Sequence, residues 1–498
     1  MKIIPKRLTA VFRAFLRLQP KSVDLTRSRT DHVACAVDTA VVSHQDFMMD
    51  DKLGRATSPA KLAAWVTDAR KRTLDLIANL RDDQLLGPRL AIVNPLLWEI
   101  GHLAWFQEKW VLRHAGNRPS ARPDADTLYD SSAVPHATRW DLPLPSRSET
   151  LAYLRQVHDR VLDLIHRGPT AAETYFVQLT VFHEDMHDEA FMYTRQTLGY
   201  PRPNLTRAPE EQATKQQPAW HAASEPTLAA AGALPGDVDI PGAVFLLGST
   251  PNEPFAFDNE KWAHPVELRP FAIARAPVTQ AEFAAFVEAN GYGRRDLWCE
   301  AGWRWREVTN ACQPGYWQRE GTGWLRRDFD RWVPLEPHRP VVHVNWYEAD
   351  AFCRWTGRRL PTEAEWEAAA AAGCGDLTAP KRRFPWGDQP PDPSLAHQEG
   401  HALGCCDVAA YPAGDSYFGC RQMIGNVWEW TASDFLPYPG FVADPYRDYS
   451  QPWFGTHKVL RGGAWMTRGR LLRNTWRNFY PPDRCDVWAG FRTCAGAS

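Results

Sequence analysis

Residues 171–199, AAETYFVQLTVFHEDMHDEAFMYTRQTLG, decide the first half of the fold. They read as one helix from about Ala171 to Leu198, closed by Gly199. Within it, His183-Glu184-Asp185-Met186-His187 sets two imidazoles at i and i+4. Side chains so spaced project from one helical face, close enough to share a metal ion. The pair alone is a weak signal, because two surface histidines or two satisfied core histidines read the same way.

Working outward, the chain upstream is also helical. Ser58-Pro59 is an N-cap followed by proline in the first turn, and Leu62, Trp65, Val66, Ala69, Leu76, Ile77 and Leu80 follow at close to the helical period. Asn94-Pro95 repeats the start signal and opens a helix through Trp98, His102, Trp105 and Val111. A third helix is expected from about Glu149 to His166, with Leu151, Leu154, Val157, Val161, Leu164 and Ile165 facing inward. Such stripes predict a four-helix bundle, in which His102 can face His183 and His187 across the core. Three neutral imidazoles leave coordination positions open. Zinc would use them for hydrolysis or thiol transfer and iron(II) for O2 chemistry, and the ligands alone do not choose. Glu184, Asp188 and Glu189 are read as outer partners or solvent-facing groups rather than ligands.

Composition bounds the rest. The 498 residues suit two or three domains, and 44% apolar content is enough for packed cores. A net charge of −2 offers no pull toward nucleic acid, and no stretch approaches the roughly 18 apolar residues of a membrane span. No CxxC pair occurs among the ten cysteines, and no secretory signal is evident, so a reducing cytoplasm is expected. Residues 1–55 are polar and aperiodic, a loosely ordered extension; 56–202 form the bundle; 203–239, rich in Pro, Ala, Gln, Glu and Thr, read as a linker. From 240 to 498 the texture changes to short β-like runs such as Ala243–Leu247, Gly, Pro and Trp turns, and two clear helices, Thr279–Ala289 and Trp346–Thr356. An irregular α+β domain is expected there. Most of the 23 tryptophans lie in this half and read as a core of aromatics in place of regular structure.

Motifs in this half carry a resemblance. Gly242–Ser249, Asn259-Glu260, Pro277-Val278-Thr279, Val342-His343-Val344-Asn345-Trp346, Arg359–Glu367 and Phe384-Pro385-Trp386-Gly387 occur in order. Gly425-Asn426-Val427-Trp428-Glu429-Trp430, Arg461-Gly462-Gly463-Ala464-Trp465 and Gly490-Phe491-Arg492 follow. The series resembles the formylglycine-generating-enzyme (sulfatase-modifying factor) fold, a C-type-lectin-like core. The copper oxidases of that fold need two active cysteines near the C-terminus, where this chain has Arg473 and Asn478. That activity is therefore not expected. A DinB-like bundle bearing His102, His183 and His187, fused to such a domain, resembles the ergothioneine-type sulfoxide synthases over roughly residues 58–495. The resemblance implies three histidines holding Fe(II), with hercynine, a thiol donor and O2 as substrates. It also implies a catalytic tyrosine in a YxxYS motif, here Tyr446-Arg447-Asp448-Tyr449-Ser450, so Tyr446 is the candidate and Tyr449 its neighbour.

Departures from the family pattern bear on the donor. The family clamps γ-glutamylcysteine or cysteine with two arginines three residues apart and a C-terminal aspartate. Here the first arginine position is His136 and only Arg139 remains, ahead of Trp140. The family's Asn-Trp-Asp is Asn478-Phe479-Tyr480, and its Gln before the last metal histidine is Met186. A zwitterionic donor would lose its ammonium partner and half its carboxylate clamp, a cost of a few kcal/mol. The pattern resembles the selenoneine synthase branch, which joins a selenosugar to hercynine. Phe479, Tyr480 and Trp140 would stack on the sugar, and Met186 would be a soft neighbour for selenium. The rival expectations are a hercynine sulfoxide synthase with a rearranged donor site, a zinc thiol transferase of the DinB type, and a non-catalytic binding protein. An ovothiol-type synthase fits less well, since its relatives usually append a methyltransferase domain.

Overall fold

The computed structural model describes residues 57–205 and 230–496. The expected extension at 1–55 and most of the expected linker therefore lie outside the described residues. Four long helices form the first half: α1 (Pro59–Ile77), α2 (Leu96–Gln107), α3 (Arg147–His166) and α4 (Ala171–Leu198). Their ends follow local chemistry. The Ser58 hydroxyl accepts from the Lys61 amide at the start of α1. Ser146 with Glu149 and Thr170 with Glu173 form reciprocal boxes that start α3 and α4. Gly199 ends α4 at φ 64°, a left-handed conformation that suits glycine. At α2 the expectation needs correction: the helix begins at Leu96, and the Asn94 side chain does not cap it but turns inward. α2 then widens into a π-helical segment, Glu108–Ala115, carrying Trp110 onto Phe176.

Apolar stripes close the bundle, with α1 packed on α3 and α4, and α2 on the same two helices. Leu62, Val66, Leu154, Val157, Val177 and Val181 are among its fully buried residues.

The second half is built from two four-stranded sheets, a hairpin and a three-stranded meander. Strand Trp428–Asp434 runs antiparallel to Lys458–Arg461, which pairs in turn with Asn478–Tyr480, setting Val459 opposite Phe479. Both expected helices are present, as Gln280–Glu288 and Trp346–Trp355. Two more were not expected, Glu300–Thr309 and Glu363–Ala371. The latter is buried almost all round, so it carries no amphipathic stripe for a sequence reading to find.

The two halves share one core, in which Phe182 of α4 packs edge-on to Phe255 at 4.8 Å. α4 is the hinge pin of this seam. Its Asp185 accepts two bonds from Arg470 at 2.6 Å each, and its Glu189 accepts from the Trp428 indole at 2.6 Å and the Thr467 hydroxyl at 2.7 Å. On the opposite side, Glu184 receives a two-pronged Arg70 from α1 at 2.8 and 3.2 Å. The acids of the HEDMHDE run are thus buried and partnered, which corrects the solvent-facing alternative. No described helix is long and apolar enough to cross a membrane. The nine described cysteines are all free.

Candidate metal centre

α2 and α4 bring His102, His183 and His187 together. One ligand atom of each lies within 4.8 Å of the others, and theirs is the only such cluster of His, Cys, Asp or Glu among the described residues. The Nε2 atoms of His102 and His183 are 3.3 Å apart. Orientation comes from the other ring nitrogens. His102 Nδ1 lies 2.8 Å from the Tyr129 carbonyl and His187 Nδ1 lies 3.2 Å from Glu99 Oε1. With Nδ1–H donating in each case, both rings turn an Nε2 lone pair inward. Tyr129 reaches α2 because residue 101 is glycine; a Cβ there would overlap the Tyr129 ring.

Aromatic rings hold the imidazoles flat. Phe106 stacks on His183 at 3.6 Å and 7°, and Trp98 on His102 at 4.9 Å and 11°. Burial, reinforced by the neighbouring imidazoles, pushes the pKa of His102 and His183 well below the ordinary histidine range. These rings are neutral at pH 7, the state a metal requires. Inward lone pairs, fixed tautomers and enforced neutrality all fit a divalent ion.

Tyr446 is the next shell outward. Its ring meets Phe106 edge-on at 4.9 Å and lies 6.3 Å from His183. Burial raises its phenol pKa, so the proton stays on at neutral pH. Tyr449 stacks on Phe257 at 4.3 Å and its hydroxyl lies 3.8 Å from Met186 Sδ. Tyr446 and Tyr449 are themselves 6.3 Å apart, centre to centre.

The donor-side expectations fare unevenly. Phe479 joins the Tyr449 ring edge-on at 5.9 Å, but one face is covered by Phe435 at 4.0 Å. Tyr480 lies beneath the Arg484 guanidinium at 5.3 Å, and burial pushes its pKa up to about 12. Asn478 accepts from the amide of Phe479 at 2.8 Å. His136 is tied to the Val93 carbonyl at 2.8 Å and meets Trp140 edge-on at 5.4 Å. Trp140 therefore sits in the 136–140 loop beside His136 and Arg89. Arg139 spends Nη1 on Asn94 Oδ1 at 2.7 Å and Nη2 on the Val134 carbonyl at 3.2 Å, while its plane covers Trp98 at 3.9 Å. Arg473 is buried in an ion pair with Glu260.

Sequence reasoning missed Glu99, Phe106 and Tyr129. Glu99 lies three residues before His102 and Phe106 four after, so both fall on the ligand face of α2; that spacing was the available signal.

Comparison with known proteins agrees with this architecture. Residues 65–190 match the DinB superfamily, and residues 223–497 match the sulfatase-modifying factor enzyme 1-like domain. A protein of Mycolicibacterium thermoresistibile named hercynine oxygenase is 38% identical over 449 residues, covering 87% of this chain and 94% of that protein. Its namesake in Mycobacterium tuberculosis is 36% identical, covering 88% and 99%. A formylglycine-generating enzyme of Streptomyces coelicolor is 34% identical, covering 56% of this chain and 95% of that protein.

Proposed function

This chain belongs to the hercynine oxygenase family, and from that premise we propose that it is a non-haem iron(II) enzyme that uses O2 to join a selenosugar to the imidazole carbon of hercynine. His102, His183 and His187 would hold the iron. Bound there, iron(II) supplies open coordination positions at which O2 and the substrates can meet. The chain's own residues do the rest. Tyr446 keeps a phenolic proton near the His183 edge of the site and can deliver it as general acid. The Phe106 and Trp98 rings shield His183 and His102 from water, and Phe257 covers one face of Tyr449. Tyr449 and the open face of Phe479 suit a trimethylammonium group.

One observation carries the choice of donor. The cationic positions that would grip an amino-acid carboxylate are occupied within the protein: the His136 ring is bonded to Val93, and both Nη atoms of Arg139 are bonded to Asn94 and Val134. Where an ammonium would need a carboxylate, Tyr480 offers a phenol and a ring. A neutral, hydroxyl-rich donor loses nothing at such a site, and Met186 beside the Tyr449 hydroxyl is a polarisable neighbour for selenium. Trp140 and Asn478 are assigned to the same donor and acceptor surface. The reading includes a cytoplasmic enzyme divided into an extension (1–55), a bundle (56–202), a linker (203–239) and a lectin-like domain (240–498).

A second reading, sulfoxide formation with γ-glutamylcysteine or cysteine, has one observation in its favour. Arg139 Nε is buried without a partner among the described residues, so one guanidinium N–H is left for a carboxylate. Purified, iron-loaded protein assayed with hercynine, O2 and each donor separates the two. Turnover with the selenosugar should dominate; equal or better turnover with γ-glutamylcysteine overturns the selenium assignment.

A further inference from the structure

We infer that Glu99 is the positioning residue that fixes His187 for metal binding, and that Arg139 supports it through Asn94 rather than acting only at the substrate. The inference rests on the reading that the trio holds a divalent metal, and it adds residues that the ligand motif does not contain.

The chain of contacts is continuous. His187 Nδ1 faces Glu99 Oε1 at 3.2 Å; the same oxygen accepts from Asn94 Nδ2 at 3.1 Å; and Asn94 Oδ1 accepts from Arg139 Nη1 at 2.7 Å. Glu99 is only 2% exposed and stands on α2, whereas His187 stands on α4. The carboxylate therefore ties together the two helices that supply the ligands. Arg139 reaches a second ligand too, since its guanidinium lies 3.9 Å over Trp98, and Trp98 stacks on His102.

Chemistry explains why an acid stands here. A histidine offers Nε2 to a metal only if Nδ1 carries the proton, and an acceptor at Nδ1 selects that tautomer and raises the basicity of the ring. His102 is served by a carbonyl, and His187 by a carboxylate. The hydrogen-bond partners of Glu99 are an amide and an imidazole, and its Oε2 has none among the described residues, so a carboxylate buried here is costly to the folded protein. A dication beyond His187 would compensate for that charge.

The test uses the full chain and cobalt(II) as a spectroscopic probe. Affinity is read by chelator competition and ligand geometry by the visible d–d bands. Glu99→Ala should weaken cobalt about 10–100-fold and shift the bands, the effect typical of an outer partner of a ligating histidine. Glu99→Asp should restore most of the affinity, and Asn94→Ala should move both readouts the same way by less. Glu99→Gln keeps shape and an acceptor while removing charge, so it reports even if the alanine variant fails to fold. Wild-type affinity and bands in Glu99→Gln, or in a folded Glu99→Ala, overturn the inference alone. Absence of cobalt binding by the wild type, or unchanged binding by His102→Ala, overturns the metal reading and the inference with it.

Discussion

In the bundle, His102 and His183 bring their Nε2 atoms to 3.3 Å, with His187 completing the cluster. In the lectin-like half, His343 and His397 are buried just as deeply, yet among the described residues no further ligand gathers around either. His397 is bonded to the Gly404 carbonyl at 2.7 Å. His343 lies between Tyr316 at 4.6 Å and Trp488 at 4.4 Å, its ring nitrogens meeting only the backbone of Asp486 and Val487. All four rings are held neutral by burial: His397 falls to about 4 and His343 to about 3, while His102 and His183 fall well below the usual value. Burial and a displaced pKa therefore do not separate a chemical histidine from an architectural one. Convergence of lone pairs does.

The largest expected effect follows directly. Replacing His102, His183 or His187 by alanine should abolish tight metal binding and turnover, exceeding the roughly 10–100-fold loss caused by altering an outer partner. Metal content and hercynine consumption measure it. A His187→Ala protein that keeps its metal and activity would show that the cluster is architectural after all.

Next in size is Tyr446→Phe. It keeps the edge contact with Phe106 and removes only the hydroxyl that carries the proton, so turnover should fall about 10²- to 10⁴-fold with little change in metal affinity. Loss of metal affinity instead would place Tyr446 among the supports of the ligand cluster.

These contrasts also show what the chain displayed before folding. The helices of the bundle were readable because a 3.6-residue stripe and its caps are local: Ser58, Thr170 and Gly199 each act within one turn. His102 could be joined to the HxxxH pair because one inward histidine on a partner helix suffices. Helix Glu363–Ala371 was not readable, since burial on every side erases the period. Glu99 was hidden for a related reason. An acid on a helix reads as solvent-facing unless the partner on the other helix is known, and that partner lies 88 residues away. At Arg139 the sequence gives the guanidinium but not that Asn94 and Val134 have already taken its Nη atoms.

His397 gives a smaller effect, of opposite character. Its folded pKa of about 4 lies below the ordinary 6.5, so between these values the unfolded chain binds a proton that the folded chain does not. Stability should hold above pH 6.5, fall as pH drops through this window, and level off below about 4. This one ring accounts for about 3 kcal/mol. His397→Gln, able to donate to the same carbonyl, should flatten that part of the profile in urea unfolding of the metal-free protein. An unchanged pH slope would mean that the ring titrates alike in the folded and unfolded chains.

The smallest effect belongs to His343, where the two regions differ most. A ligand histidine aims its nitrogens at one point shared with other ligands; those of His343 meet only the backbone of Asp486 and Val487, short of full hydrogen-bond geometry, in an aromatic slot. Exchanging a buried polar group so weakly partnered for an apolar one of similar shape costs little, because its poorly satisfied atoms were already a burden on the fold. His343→Phe preserves the ring in that slot at the same left-handed backbone, φ 61°, which phenylalanine tolerates somewhat less well than histidine. Stability should stay within about 1 kcal/mol of wild type, with metal content untouched. A loss of about 2–3 kcal/mol would instead show that those nitrogens bind ordered water on which the second half depends. The contrast with the trio would then be one of ligand, metal against water, and no longer one of function against filling.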